Sequence, residues 1–403
     1  MRKLLIVFLI IGNLVFPQKF EKLALTPPMG WNSWNTFGMN INEKVIKEVA
    51  DAMVEYGLLD AGYEYVVIDD GWANERDSLG FIVPDPEKFP SGMKALADYV
   101  HSKGLKFGIY SCAGWKTCGG RPGSRGYEFQ DAIKYAEWGV DYLKYDWCYT
   151  DSRDAKDAYT IMRNALFKAG RPIVFSICEW GTNKPWEWAK DIGHLWRTTG
   201  DIIKDNPSFD GVVNHGSWKS WGVMRIADMT EPLRQYAGPD HWNDPDMLVV
   251  GMGMTEAEDR AHFSLWCMMA APLFAGNDVR NMSQTTIEIL TNKEVIAVDQ
   301  DFLGIPGFRF RQENGIEVWY RPLNGEDWAV LFLNRSLETK DIFWDWRKNY
   351  TWDGISQRSF DCNKTTYSIR DLWEHKNIGT TEKPFRRKLI SHDVAMLRLI
   401  PEK

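Results

Sequence analysis

One unit recurs along most of this chain: a short apolar strand, a polar or aromatic break, then a helical stretch. The strand segments end at Gly30–Trp34, Val66–Asp70, Phe107–Ser111, Tyr142–Asp146, Ile173–Ile177, Leu195–Arg197, Trp242–Asp244 and Pro272–Gly276. Between them, stretches such as 42–58, 91–103, 127–138, 153–169 and 255–269 carry apolar residues near helical spacing. Strand alternating with helix calls for a parallel sheet with helical crossovers. Eight such units predict an α/β chain built as a closed (β/α)8 barrel. An open doubly wound sheet is the rival, but no Gly-x-Gly-x-x-Gly turn follows the first strand.

After about residue 300 the texture changes. Segments 307–312, 315–321, 327–333, 340–344, 366–372 and 392–399 are short and β-rich, with polar turns between them. Asn324-Gly325 is a hairpin signal. This tail reads as an antiparallel β-sandwich, and the absence of a low-complexity linker predicts that it packs on the barrel. Residues 1–16 combine Arg2 and Lys3 with an apolar run that is short for a membrane span, the pattern of a secretory leader. The expected organisation is therefore a signal peptide over 1–18, a catalytic barrel over 19–300 and a sandwich over 301–403, in a secreted or periplasmic protein without stable membrane insertion. The net charge, 48 − 55 = −7, with no basic run, argues against a nucleic-acid partner. Sequons begin at Asn281, Asn334, Asn349 and Asn363 and matter only in a glycosylating host.

Reactive groups in such a barrel gather at the C-terminal ends of the strands. Trp34, Asp69, Asp70, Tyr110, Lys144, Asp146, Glu179, Arg197, Asp201, Asp244 and Asp246 all fall there. Clustered carboxylates repel one another, which makes capping alone a poor account of them. On the strand Tyr142–Asp146, period two places Tyr142, Lys144 and Asp146 on one face. Lys144 beside Asp146 should lower the Asp146 pKa, and an ionised Asp in a cleft can be a nucleophile. The same pair could equally be a buried ion pair that only holds the barrel. Asp201, after a strand and a glycine, is either a helix cap or a proton donor partnered with Asp146. Asp69, Asp70, Asp244 and Asp246 could also offer oxygens to magnesium. No His-x-x-x-His zinc pattern and no Gly-x-Ser-x-Gly elbow is present. Paired carboxylates with 20 tryptophans as potential sugar-stacking walls point to glycoside hydrolysis.

The chain resembles glycoside hydrolase family 27, the family of α-galactosidases and α-N-acetylgalactosaminidases. The matching stretches are Thr26–Trp34, Ile68–Trp72, Gly108–Tyr110, Lys116–Ser124, Tyr142–Cys148, Cys178–Gly181, Trp196–Asp201 and Trp242–Met247, in family order. The resemblance implies Asp146 as nucleophile and Asp201 as acid/base. It implies that Asp69 and Asp70 bind the galactose 4- and 6-hydroxyls, with Lys144 also on sugar hydroxyls. It implies Trp34 as an aromatic wall, Arg197 near the 2-position, and Tyr110, Asp246 and Met247 lining the site. A Cys118–Cys148 disulfide is implied at the pocket rim. Gly71 and Gly193 stand where many members carry cysteine, which leaves Cys178 without that partner. Glu179-Trp180 resembles the bulky, galactose-selective version of its loop.

The expected activity is that of a retaining exo-α-galactosidase on α-galactoside oligosaccharides or glycoconjugates, with no cofactor and no metal. An α-N-acetylgalactosaminidase, a β-L-arabinopyranosidase and a non-catalytic galactose-binding protein are the alternatives.

Overall fold

The computed structural model describes residues 19–402. The leader expected over 1–18 lies outside the described residues. Eight parallel strands run β1 Met29–Asn32, β2 Tyr65–Val67, β3 Lys106–Cys112, β4 Tyr142–Asp146, β5 Val174–Cys178, β6 Leu195–Arg197, β7 Trp242–Asp244 and β8 Leu273–Ala275. They pair in the order β7-β6-β5-β4-β3-β2-β1-β8. The ring closes just beyond β7: Leu248 bridges Ala275 in parallel, its N–H donating to Phe274 O at 2.7 Å.

Side chains alternate through the barrel wall as a pleat requires. Tyr65, Val67, Tyr142, Val174, Leu195, Trp242 and Phe274 fill the interior. Val66, Leu143, Tyr145, Phe175, Ile177, Trp196 and Leu273 face outward onto the helices. Gly108 on β3 is forced by this crowding, since a Cβ there would sit 2.6 Å from Val67 Cγ2.

The crossover helices include α1 Glu43–Glu55, α2 Gly92–Ser102, α3 Glu128–Trp138, α4 Ala155–Ala169, α5 Val223–Thr230 and α6 Glu256–Met268. Thr255 and Glu258 close a capping box on α6. The crossover between β5 and β6 is reduced to a 3-10 turn, Pro185–Glu187. Five of these helices, α1 to α4 and α6, fall on the amphipathic stretches read from the sequence.

The tail forms a six-stranded antiparallel sheet: β9 Phe308–Glu313, β10 Ile316–Pro322, β11 Trp328–Asn334, β12 Tyr367–Asp371, β13 Lys376–Thr380 and β14 Val394–Pro401, ordered β9-β10-β11-β14-β12-β13. Period two again divides its residues. Val318, Tyr320, Val330 and Phe332 pack on the paired segments Lys340–Trp344 and Phe385–Leu389 to make the sandwich core. Trp319, Leu331, Leu333 and Met396, on the other face, join the core shared with the barrel. Asn324-Gly325 does turn β10 into β11, through a short 3-10 turn with Gly325 at φ 71 rather than a two-residue turn. Asn334 and Asn349 are buried, so a glycan on either is incompatible with the packing of this fold. Among the described residues no helix is long and apolar enough to cross a membrane.

Candidate active site

At the C-terminal end of the barrel the interior turns from apolar to polar. A cleft there is lined by Asn32, Tyr142, Lys144, Ser176, Cys178, Arg197, Asp244, Asp246, Met247 and Phe274. The β3–β4–β5 register sets this layer, pairing Tyr110 with Lys144, Lys144 with Ser176, and Asp146 with both Cys112 and Cys178.

Lys144 does not bond Asp146. It donates to Asp69 Oδ2 at 2.8 Å, and Asn32 Nδ2 donates to the same oxygen at 2.8 Å. Burial opposes the Lys144 charge, but Asp69, Asp146 and the hydrogen bond to Asp69 outweigh it and hold the ammonium protonated. Asp146 is buried, accepting from Tyr110 OH on Oδ2 at 3.0 Å and from Trp147 N–H on Oδ1 at 2.9 Å. Its carboxyl is pushed up to about 7, first by burial and further by the charges of Asp201 and Asp69, against Lys144 and the Trp147 N–H. This corrects the fall expected from sequence: desolvation exceeds the attraction of a lysine already shared with Asp69.

Asp201 is held by Arg197 of the cleft lining, its Oδ1 3.1 Å from Arg197 Nη2. The same Nη2 is 2.9 Å from Asp246 Oδ2. Asp246 adopts φ 87, a left-handed conformation for a non-glycine residue, and its neighbours over-determine it. Its oxygens accept from the backbone N–H of Ile202 and of Met247, both at 2.8 Å, and its carbonyl accepts from Trp266 Nε1 at 2.8 Å. Asp246 thereby ties the β6 loop carrying Asp201 to helix α6.

Asp70 accepts from Gly119 N–H at 2.6 Å and Gly71 N–H at 2.7 Å. Trp34 opens the short helix after β1 and packs, partly buried, against the interior cluster that contains Met247. Cys118 and Cys148 are joined by a disulfide, while Cys112 and Cys178 are free and buried. Glu179 is fully buried and turns one oxygen onto its own loop, accepting from Asn183 N at 2.6 Å and Nδ2 at 2.7 Å. Burial pushes that carboxyl up to about 7. Trp180, next to it, takes a left-handed φ of 58.

Two buried polar atoms here have no partner within the protein, Glu179 Oε1 and Arg197 Nε. Such atoms are unusual in a native fold. Among the described residues the one grouping with metal-ligand spacing is Cys118, Asp146 and Cys148. Its two sulfurs are spent in the disulfide; of the acids considered for magnesium, Asp69 pairs with Lys144 and Asp246 with Arg197, while Asp70 and Asp244 accept backbone N–H groups.

Sequence reasoning passed over Asn32, Ser176 and Phe274 as site residues. Ser176 shares its strand face with Val174 and Cys178, so period two could have found it. Asn32 stands two residues before Trp34 in a segment already singled out.

A parallel barrel with a carboxylate-lined cleft at its strand ends and a β-sandwich at its flank is the setting of an enzyme site built from acids. Residues 26–301 match the profile described as alpha galactosidase A, and residues 313–399 that of the alpha galactosidase C-terminal beta sandwich domain. The chain belongs to this family, the melibiases of glycoside hydrolase family 27. It is 57% identical over 384 residues to alpha-galactosidase A of Cellvibrio japonicus, covering 95% of this chain and 94% of that one. The crystal structure of alpha-galactosidase I from Mortierella vinacea superimposes with a TM-score of 0.86 at 38% identity, covering 94% of this chain and 98% of the other. The α-galactosidase of Saccharomyces cerevisiae, solved with raffinose, gives 0.85 at 31% identity with the same coverage.

Proposed function

We infer that the chain is a glycoside hydrolase that releases terminal α-D-galactosyl residues, with Asp146 as nucleophile and Asp201 as acid/base. The observation that carries the assignment is Asp146 itself. Its carboxylate is buried at the end of β4, each oxygen held by one hydrogen bond, within range of the Asp201 charge.

In the first step an Asp146 oxygen bonds to the anomeric carbon. The bond to the leaving oxygen breaks, and that oxygen takes the Asp201 proton. In the second step water attacks the anomeric carbon and gives its proton to Asp201, and Asp146 leaves as carboxylate. Two displacements on opposite faces return the original anomer. Asp69, Asp70 and Lys144 are the groups assigned to the sugar hydroxyls, and Lys144 and Arg197 line the cleft. The bulk of Glu179 and Trp180 favours a 2-hydroxyl over a 2-acetamide.

Side-by-side assay of nitrophenyl α-galactoside, α-N-acetylgalactosaminide and β-L-arabinopyranoside tests the specificity, with fastest turnover expected on the galactoside. Proton NMR of the first-formed sugar tests the mechanism, and β-galactose appearing first overturns the two-step assignment. Export to an oxidising compartment is the reading favoured by the basic-then-apolar start and by the Cys118–Cys148 bridge. Intact mass of the protein recovered from periplasm or medium checks it.

A further inference from the structure

Two peptides hold the carboxylate of Asp70. Oδ1 accepts from the Gly71 N–H and Oδ2 from the Gly119 N–H. Both glycines are pressed against one neighbour, Met39. A Cβ on Gly71, which sits at φ 98, would meet Met39 Sδ at 3.0 Å, and a Cβ on Gly119 would meet the same sulfur at 2.6 Å. Close approach of this kind requires glycine at both positions. Asp70 is therefore fixed by three segments, those following β1, β2 and β3.

Lys88, which is not among the residues lining the cleft, joins two of those segments. Its ammonium donates to Met39 O at 2.8 Å and to Gly71 O at 3.1 Å. Hydrogen bonds from a charged donor are stronger than those between neutral groups. Gly71 is thus gripped at both polar groups, its N–H by Asp70 and its carbonyl by Lys88. Through Met39 the same ammonium also steadies the surface on which Gly119 rests. Lys88 is itself anchored. It lies in a turn closed by the Phe89 N–H on Asp85 O at 2.8 Å, and the Asp85 N–H donates to Trp72 O at 2.8 Å. The Lys88 carbonyl accepts from the N–H of Glu43, the first residue of α1, at 2.8 Å.

We propose that Lys88 is a positioning residue for galactose binding, its ammonium locking the segments after β1 and β2 so that Asp70 meets the sugar already oriented. This rests on the galactosidase reading above, which assigns Asp70 to a sugar hydroxyl. Without the ammonium, the peptides that hold Asp70 must be ordered at each binding event. That cost falls on KM rather than on kcat.

The test is a double-mutant cycle on the full chain with nitrophenyl α-galactoside as substrate. Lys88→Met should raise KM about tenfold with kcat nearly unchanged, and Lys88→Arg should restore most of the loss. In an Asp70→Ala background, Lys88→Met should change kcat/KM by less than about twofold, because the group it positions is gone. Should Lys88→Met fail to fold, Lys88→Gln reads the same cycle. An equal loss in both backgrounds overturns the proposal and leaves Lys88 a stabilising residue only. A loss confined to kcat overturns it as well. Wild-type protein that leaves nitrophenyl α-galactoside intact overturns the galactosidase reading, and the role of Lys88 with it.

Discussion

Asp146 concentrates the conflict between stability and chemistry in one side chain. A carboxylate at about 7 in the folded protein has an unfolded value of about 3.9. Between those values the folded chain holds a proton that the unfolded chain has released, so raising the pH costs stability across that window. This contribution is fully present below about pH 4 and is lost as the pH rises through about 7. Asp146→Asn removes the titration while keeping the shape. Its Tm should exceed that of wild type at pH 8, and the difference should disappear near pH 4, as read by calorimetry at the two pH values. The same variant should lose turnover of nitrophenyl α-galactoside by about 10³-fold or more. Substantial turnover in a folded Asp146→Asn would remove Asp146 from the nucleophile role. The sign of the Asp146 shift was not legible in the sequence, because spacing shows Lys144 two residues away but not that Asp69 already occupies it.

Single elements were more readable than single residues. All eight barrel strands were legible, most as short apolar runs ending in polar side chains, although β7 is Trp-Asn-Asp and β8 runs into Gly276. The short tail strands Arg358–Phe360 and Phe385–Leu389 do not, because Phe385 and Leu389 bracket three charged residues and make no apolar run. The bridge at Leu248 that closes the ring is equally silent, because it depends on the path of the loop after β7. Helix α6 shows how an element reaches the site without entering it. One face of α6 presents Asp259, His262 and Trp266 to the 246–251 loop, bonding Gly251 N–H at 3.0 Å, Val249 N–H at 3.1 Å and the Asp246 carbonyl. Burial lowers the His262 pKa to about 3, against about 6.5 in the unfolded chain. Its neutral form therefore contributes stability that is present above about 6.5 and lost as the pH falls toward 3. His262→Leu gives up the bond to Val249 but also the titration. Its urea midpoint should fall below that of wild type at pH 7, and the gap should narrow or reverse at pH 4. A gap that widens in acid would contradict the neutral assignment.

Barrel and sandwich share a core, and the seam between them has a strong point and a weak one. Arg321 on β10 is fully buried and donates to three carbonyls, Cys267 at the end of α6, Asp299 at 3.2 Å and Ile305 at 3.0 Å. All three belong to the barrel or to the segment leading out of it, so one guanidinium satisfies helix-end and linker groups that would otherwise be orphaned. Removing it leaves those carbonyls buried without partners, at a cost of about 1–3 kcal/mol each for the ones that water does not reach. The second link is the Arg370–Glu294 pair, with contacts of 2.8 and 2.7 Å but side chains about 30% exposed. Exposed pairs of this kind contribute about 0.2–1 kcal/mol. The two substitutions should therefore separate clearly in a scanning calorimeter. Wild type should unfold in a single transition, because the β10–β11–β14 sheet buries one face in each core. Glu294→Gln should keep that single transition with Tm nearly unmoved. Arg321→Met should lower Tm by several degrees or split the peak, with galactosidase activity lost at the lower step. Equal and small effects of both would mean that apolar packing alone joins the two halves, and that Arg321 only fills space at the seam.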